Sequence, residues 1–181
     1  VLDKAKMEGL PSVPSQVNFI LGGRSFSIYE VTADGLLQVF DSGSDFENIT
    51  AAAYPDYFNA SNKNNKLDSR SDAKGPEPES IAVAKAGDKT YAYIGLERIG
   101  GIMLYDITNP ADAFFCDYIN SRDFTVDFPE SGTDPLQGDV SVEGICAVPA
   151  EHSPTGYPLL LAANEVSGTV AVYQQKEGYV S

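Results

Sequence analysis

Three stretches of the chain share one pattern of apolar and polar positions. Each has a short apolar segment, a turn that contains glycine, and a second apolar segment that ends near an aromatic residue, at residues 25–41, 90–106 and 158–174. The apolar, β-branched and aromatic bias is typical of strands, and the central glycine supplies the positive φ of a tight turn. The pattern therefore predicts three β-hairpins.

The predicted hairpins recur at a regular interval. Their turns are Asp34-Gly35, Gly100-Gly101 and Ser167-Gly168. The second residues of these turns, Gly35, Gly101 and Gly168, stand 66 and 67 residues apart. A further strand-like segment precedes the second and third hairpins, at residues 79–84 and 143–148. No segment has the pattern of a long amphipathic helix. We therefore predict an all-β fold made of repeats of a strand, a loop and a hairpin.

This repeat resembles one blade of a β-propeller, although typical blades have about 40 to 50 residues. The repeats span roughly 22–53, 79–108 and 143–175, and the segments 54–78 and 109–142 are predicted to be long loop insertions. Propellers close with about 4 to 8 blades. The whole chain is therefore expected to be a partial β-propeller domain, a fragment of a larger ring, with a sandwich-like body of three repeats as the alternative.

Composition limits the class of partner. The 181 residues include 12 Lys and Arg against 26 Asp and Glu, which gives a formal net charge of −14. This charge repels phosphate backbones and anionic membranes, and it suits extracellular solubility or cation binding. No apolar run approaches the roughly 20 residues of a membrane span, and the N-terminal segment lacks a signal-peptide core. We expect no nucleic-acid partner and no transmembrane segment.

The cysteines and the histidine exclude a common metal. Cys116 and Cys146 lie in apolar, strand-like segments, where buried free thiols are expected, and a single disulfide is the alternative. With His152 as the one histidine, the chain cannot supply the usual nitrogen and sulfur ligands of zinc. His152 beside Ser153 does not make a catalytic triad.

Two tyrosines raise the question of a sugar platform. Tyr91 and Tyr93 alternate with Ala92 and Ile94, so one face of the predicted strand is aromatic and the other is aliphatic. Both faces of a propeller blade are covered by neighbouring blades. We therefore predict that these tyrosines are core residues.

Four longer motifs lead to a family. "GGRSFSIYEV", "DSRSDAKGPEPES", "YAYIGLERIGGIMLYDIT" and "SPTGYPLLLAANEVSGTVAVY" follow one another between Gly22 and Tyr173. In this order they resemble the choice-of-anchor I family of cell-surface proteins. The resemblance implies a secreted β-propeller longer than this chain, a C-terminal anchor, an extracellular location and an unknown extracellular ligand. Many members are labelled alkaline phosphatase. One departure is Val142, which stands where the family typically has a proline before Glu143.

Carboxylates hold matching places in the repeats. Glu79 and Glu143 begin equivalent predicted strands, and Glu97 and Asn164 hold equivalent places before the turns. Equivalent positions of propeller blades converge on the central axis, so these side chains are expected to meet on one face. The candidate ligand-binding residues are Arg70, Asp72, Glu77, Glu79, Glu97, Arg98, Glu143, Asn164 and Glu165.

Oxygen ligands of this kind suit a hard cation. We predict Ca²⁺ as the ion, with Glu79, Glu97 and Glu143 as its ligands. The alternative is that Glu79 and Glu143 cap loops or pair with Arg70, Arg98 or Arg122, because ion-pair networks also gather charge. The acidic segment 41–47 lacks the ligand spacing of an EF-hand and is predicted to be a plain turn.

Two functions follow from these observations and the resemblance. The first is a binding or interaction module of an exported cell-surface protein, with a bound calcium. The second is a calcium-dependent phosphatase or phytase-like esterase. In that alternative, phosphate oxygens and the metal would be held by two sets of side chains, namely Arg70, Lys74 and Arg98 for phosphate and Glu77, Glu79 and Glu143 for the metal.

Overall fold

The computed structural model describes residues 23–129, 134–176 and 179–181. The predictions for residue 22 at the start of the first repeat, and for 130–133 in the second insertion, lie outside this range. The strands are β1 (Ser27–Thr32), β2 (Gly35–Asp41), β3 (Pro78–Ala86), β4 (Lys89–Leu96), β5 (Ile102–Asp106), β6 (Phe114–Ile119), β7 (Val142–Val148), β8 (Leu159–Asn164), β9 (Thr169–Lys176) and β10 (Tyr179–Val180). One α-helix, α1 (Asp45–Ala53), and short 3-10 helices at Pro55–Tyr57, Pro110–Asp112, Pro135–Gln137 and Ala150–His152 complete the described elements.

The strands form three antiparallel sheets in chain order. β1 pairs with β2, and two four-stranded sheets follow, β3-β4-β5-β6 and β7-β8-β9-β10. The prediction of an all-β fold is confirmed, and so are the three hairpins, which are β1–β2, β4–β5 and β8–β9. Within the described ranges, no helix has the length and apolar character of a membrane span.

The two central strands of the middle sheet, β4 and β5, are buried on both faces. Tyr91 and Tyr93 of β4 pack in one apolar cluster with β7 to β10, whereas Ala92 and Ile94 pack in a second cluster with the first hairpin and α1. This arrangement follows from the period of 2 along a strand, which sends alternate side chains to opposite faces. The prediction that the two tyrosines are core residues is confirmed.

The acidic segment after β2 folds differently from the prediction of a plain turn. Gly43 adopts a φ of +56° in the turn, and α1 begins immediately afterwards at Asp45. Asp45 and Glu47 lie in the first turn of the helix, where negative side chains interact favourably with the helix dipole. Phe46 is fully buried against the first hairpin. The carboxylates of this segment therefore start a helix.

The two four-stranded sheets meet along a seam in which β7 packs against β3 and β4. The seam is tight at Gly95, where an added Cβ would lie 2.7 Å from Cγ1 of Val142. The opposite face of the last sheet is open, and Val170 and Val172 are 64% and 59% exposed.

The open face also explains the exposure of one of the two cysteines. Cys116 and Cys146 are both free thiols, as expected, but neither is fully buried, because Cys116 is half-buried and Cys146 is exposed. It lies on β7 opposite Leu161 of β8, which in turn lies opposite Val172 of β9. Because side chains in one such row share a face of the sheet, Cys146 belongs to the open face.

Candidate functional site

An acidic pocket opens at the end of the seam where β3 and β7 begin. Both strands start with an irregularity of register, between Pro78 and Ser80 in β3 and between Val142 and Gly144 in β7. The extra residue in each case is a glutamate, Glu79 or Glu143. A β-bulge of this kind re-aims a side chain at the end of a strand, which brings both carboxylates to the same pocket.

The residue two positions before each of these glutamates has a left-handed backbone. Glu77 has a φ of +55° and Ser141 a φ of +74°, both uncommon for residues other than glycine. The Glu77 carbonyl accepts a hydrogen bond from the Glu97 N–H at 2.9 Å, and the Ser141 carbonyl accepts one from the Glu165 N–H at 2.8 Å. The two repeats thus build the same turn and present one glutamate from each.

This geometry corrects the predicted correspondence between Glu97 and Asn164. Asn164 pairs with Val142, just as Leu96 pairs with Pro78 in the preceding sheet. The residue equivalent to Glu97 is therefore Glu165. The prediction was wrong by one residue because it aligned the repeats on the turn glycines, and the strands keep a different register.

The pocket has a volume of about 440 Å³. It brings together five of the predicted residues, Glu79, Glu97, Arg98, Glu143 and Glu165. Its remaining lining residues are Asn62, Lys63, Lys74 and Val166. The other four predicted residues, Arg70, Asp72, Glu77 and Asn164, are not among those that line it.

A network of buried ion pairs and hydrogen bonds holds the side chains at the base of the pocket in place. Arg98 forms ion pairs with Glu77 and with Glu97, the latter at 2.9 Å between Nη2 and Oε2. Its Nη1 also donates a hydrogen bond to Oδ1 of Asn62 at 2.8 Å. Lys74 pairs with Glu77 from the other side. Two basic side chains that could bind a ligand are thereby engaged with Glu77.

Sequence analysis missed two polar residues of this network. Asn62 donates to Oε1 of Glu97 at 2.7 Å, and Ser141 donates to the same oxygen at 3.3 Å. Glu97 is 4% exposed, so these bonds, together with Arg98, fix its carboxylate firmly. Asn62 lies in the long 54–78 loop, and its sequence context carries no motif that could have identified it.

Arg122 ties the long loops to the pocket instead of pairing with a glutamate. Its guanidinium donates to the carbonyl oxygens of Arg98 at 3.0 Å and Ser61 at 2.8 Å. It also stacks over the ring of Phe124, with 4.5 Å between the Arg122 Cζ and the ring centroid. Burial lowers the pKa of Arg122 to about 10. This arginine therefore holds the Glu97–Arg98 turn in place.

Two sets of three carboxylates share Glu97. Glu77, Glu79 and Glu97 form one set, Glu97, Glu143 and Glu165 form the other, and in each set one oxygen per residue lies within 4.8 Å of the others. Within the described ranges, neither Glu79 nor Glu143 forms an ion pair with a basic side chain. The alternative that arginines neutralise these two glutamates finds no support in the contacts.

Burial and the crowding of like charges shift the pKa values of the cluster. Burial, followed by hydrogen bonds with Glu77 and Glu79, raises the pKa of Glu97 to about 8. Burial also acts on Glu77, but hydrogen bonds with Glu97, Lys74 and Arg98 outweigh it and lower the Glu77 pKa. Burial and the charges of Glu79 and Glu165 raise the pKa of Glu143. The cluster thus holds more negative charge than its cations compensate.

Comparison with known proteins finds one family model and two relatives that match the chain. A family model described as "Choice-of-anchor I domain" matches residues 5–110. The chain is 36% identical to Gigasin-3a of Magallana gigas over 159 residues, which cover 84% of this chain and 55% of that protein. It is 25% identical to a mesenchyme-specific cell surface glycoprotein of Strongylocentrotus purpuratus over 157 residues, 77% of this chain and 20% of that protein. No solved structure matches the chain.

The matches cover different shares of the relatives and of this chain. The chain spans about half the length of the first relative and a fifth of the second. The family model covers more than half of the chain, including Glu79, Glu97 and Arg98 of the pocket. The chain therefore belongs to the choice-of-anchor I family.

Proposed function

We propose that the chain is a binding module of an exported cell-surface protein and that its acidic pocket binds calcium. Family membership and the similarity to a cell surface glycoprotein support the extracellular location. The observation that carries the proposal is the pair of three-carboxylate sets that share Glu97. Three of these glutamates, Glu79, Glu143 and Glu165, are exposed and therefore accessible to an ion.

The spacing of the oxygens suits the proposed ion. Calcium binds six to eight oxygens at about 2.3–2.6 Å, so two ligands on opposite sides of the ion stand about 5 Å apart. The 4.8 Å limit within each carboxylate set lies inside that range. The predicted ligands are divided between the two sets, because Glu79 belongs to one and Glu143 to the other. An ion held by Glu97, Glu143 and Glu165 would relieve the repulsion that, together with burial, raises the pKa of Glu143. Waters would complete its coordination.

Calcium titration by isothermal calorimetry tests this proposal. We expect Glu79→Gln and Glu143→Gln each to weaken calcium binding at least about tenfold, because each removes a charged ligand. Glu151→Gln, which changes an exposed glutamate in a different part of the chain, is the matched control and should bind as the parent does. Absence of calcium binding in the parent chain, or equal affinity in all variants, contradicts the proposal.

We also propose that the two four-stranded sheets are blades of a propeller-type ring within a longer protein. They have the same strand order and pack through their first strands, β3 and β7. The open face of the last sheet offers apolar side chains to a further blade. Maleimide labelling of Cys146 tests this proposal. Cys146 should react readily in this chain and be protected in the longer protein, and equal labelling of both contradicts the proposal.

The alternative function is calcium-dependent phosphoester hydrolysis. One observation favours it, because Lys63, Lys74 and Arg98 line the same pocket as the carboxylates. The engagement of Lys74 and Arg98 with Glu77 weakens it, since both cations are already paired. Hydrolysis of p-nitrophenyl phosphate with and without calcium separates the two functions. Turnover that requires calcium and is lost in Glu79→Gln supports the enzyme, whereas calcium binding without turnover supports the binding module.

A further inference from the structure

Two apolar side chains of β3 lie at the open end of a buried core. Ile81 and Val83 are each 57% exposed, yet Ile81 pairs with Ile94 and Val83 pairs with Ala92 of β4. Residues directly opposite each other in antiparallel strands share a face of the sheet. Ile94 and Ala92 are buried in the cluster that contains the first hairpin and α1. The core on this face therefore ends one strand short, at β3.

The opposite face of β3 is covered by another strand. Ala82 and Ala84 of β3 lie in one apolar cluster with Ile145 and Ala147 of β7, and the two strands are in contact. Cδ1 of Ile145 lies 3.2 Å from the position that a Cβ would take at Gly95. Small side chains on the middle sheet thus let β7 approach closely, and larger side chains of β7 fill the space.

The register of the two strands gives the exposed pair its counterparts. Counted from the irregularity at the start of each strand, Ile81 holds the place of Ile145, and Val83 holds the place of Ala147. In β7 these two places pack against a neighbouring strand that carries alanines at alternate positions. The same two places in β3 face outward and are apolar and exposed.

The first hairpin limits what can cover this face. Ala92 pairs with Tyr105 on β5, and the rings of Phe26 and Phe40 lie 4.8 Å and 6.4 Å from the Tyr105 ring between centroids. The hairpin therefore already occupies the β5 side of the face, and a whole four-stranded sheet of a second copy cannot stack there. In the described ranges the hairpin's sheet has two strands, whereas the other two sheets have four. A strand that lies beside the hairpin fits the remaining space.

We propose that Ile81 and Val83 form a docking surface for a strand of the longer protein, which adds to the first sheet and lays small side chains on this pair. By analogy with Ala82 and Ala84 against β7, the partner is an extended segment with alanine or a similarly small residue at every second position. The proposal rests on the proposed function only in that it requires a longer protein with further strands, and it does not depend on calcium.

The double variant Ile81→Thr/Val83→Thr tests this proposal. Threonine keeps the β-branched shape that suits a strand, so in this chain, where both positions are exposed, the melting temperature should stay within about 2 °C of the parent. In the longer protein the same change buries two hydroxyl groups at an apolar contact, and we expect a drop of at least about 5 °C. Leu67→Thr is the matched control, because Leu67 is 55% exposed but lies in the 54–78 loop. It should leave both proteins unchanged.

Three results overturn the proposal. They are an unchanged melting temperature of the double variant in the longer protein, an equal drop in both proteins, and self-association of this chain that the double variant abolishes in analytical ultracentrifugation. The last result would assign the face to a second copy. Labelling of Cys146 separates this proposal from that of the ring, because protection of Cys146 in the longer protein without a drop in the double variant contradicts the docking strand alone.

Discussion

The acidic pocket and a second cleft, which is lined by Lys89, Tyr157 and Gln175 among others, lie at opposite ends of one seam, about 23 Å apart along β3 by the rise of a strand. They are built in opposite ways. At the acidic end, hydrogen bonds and ion pairs hold each buried charge, and what remains uncompensated is net negative charge. At the cleft end, Lys89 is paired with Asp106, and Gln175 keeps one buried acceptor without a partner in the described ranges. The carboxylates that remain unpaired at the acidic end are what indicates a cation there.

The acidic end should be the more fragile of the two. Arg98→Ala removes the partner of two buried carboxylates, Glu77 and Glu97, whose side chains are 7% and 5% exposed. Breaking a buried ion pair from one side costs about 3–5 kcal/mol, and the loss should lie at the lower end of that range because Lys74 still pairs with Glu77. We expect a loss of this order in the free energy of unfolding, measured with urea. A loss below about 1 kcal/mol would mean that the network does not support the pocket.

The seam itself joins the two sites and gives the next largest effect. In Gly95→Ala, the new Cβ would lie 2.3 Å from Oγ of Ser80 and 2.7 Å from Cγ1 of Val142. Overpacking of this kind costs about 1–3 kcal/mol. Calcium should bind more weakly to Gly95→Ala, because the atoms that the new Cβ meets lie beside Glu79 and Glu143 of the pocket.

Gly144→Ala is the control for that substitution. The nearest atom to its new Cβ is the Cβ of Ala163 at 3.9 Å, so unfolding and binding should be unchanged. Unchanged calcium binding in Gly95→Ala would mean that the packing of the seam does not position the pocket.

The stability of the acidic end should also depend on pH, because two of its glutamates have shifted pKa values. The pKa of Glu97 is raised from 4.5 to about 8, so its stabilising contribution is complete below pH 4.5 and is lost as the pH rises through 8. Glu77 has a lowered pKa, and its contribution is lost only at pH values below its ordinary value of 4.5. Relative to the parent, Glu97→Gln should therefore gain a few degrees of melting temperature between pH 5 and pH 8.5.

These melts should contain EDTA, so that metal binding does not contribute. Glu151→Gln is again the control and should have the melting temperature of the parent at both pH values. If the difference in melting temperature between Glu97→Gln and the parent is the same at pH 5 and at pH 8.5, Glu97 is not the group that loses a proton in this pH range.

Sequence analysis predicted the sheets well and the sites unevenly. Apolar periodicity and turn glycines located the hairpins, because both act locally along the chain. The match of Glu79 with Glu143 followed from the repeat, but the match of Glu97 with Glu165 did not, because a one-residue shift between turn and strand is invisible without the register. Asn62 joins the pocket through a loop contact across 35 residues, and no local pattern predicts such a contact.

The cleft was not predicted at all, for a related reason. Gln175 and Tyr157 come from one repeat and Lys89 from another, and none of them lies in a recognisable motif. Tyr91 and Tyr93 attracted attention as aromatic residues, but they are buried. Exposure distinguishes Tyr157 from them, and exposure depends on how the two sheets pack.

The smallest effect is expected for the ion pair at the cleft. Lys89 is 44% exposed, and its partner Asp106 also accepts a hydrogen bond from the Thr108 N–H at 2.9 Å. Because that bond remains after Lys89→Met, the carboxylate keeps a partner, and the loss in unfolding free energy should be a small fraction of the loss in Arg98→Ala. Urea unfolding of the two variants side by side measures the ratio. Equal losses would mean that the two ends of the seam rely on buried charge to the same degree, and the contrast between them would then reduce to the unused acceptor of Gln175.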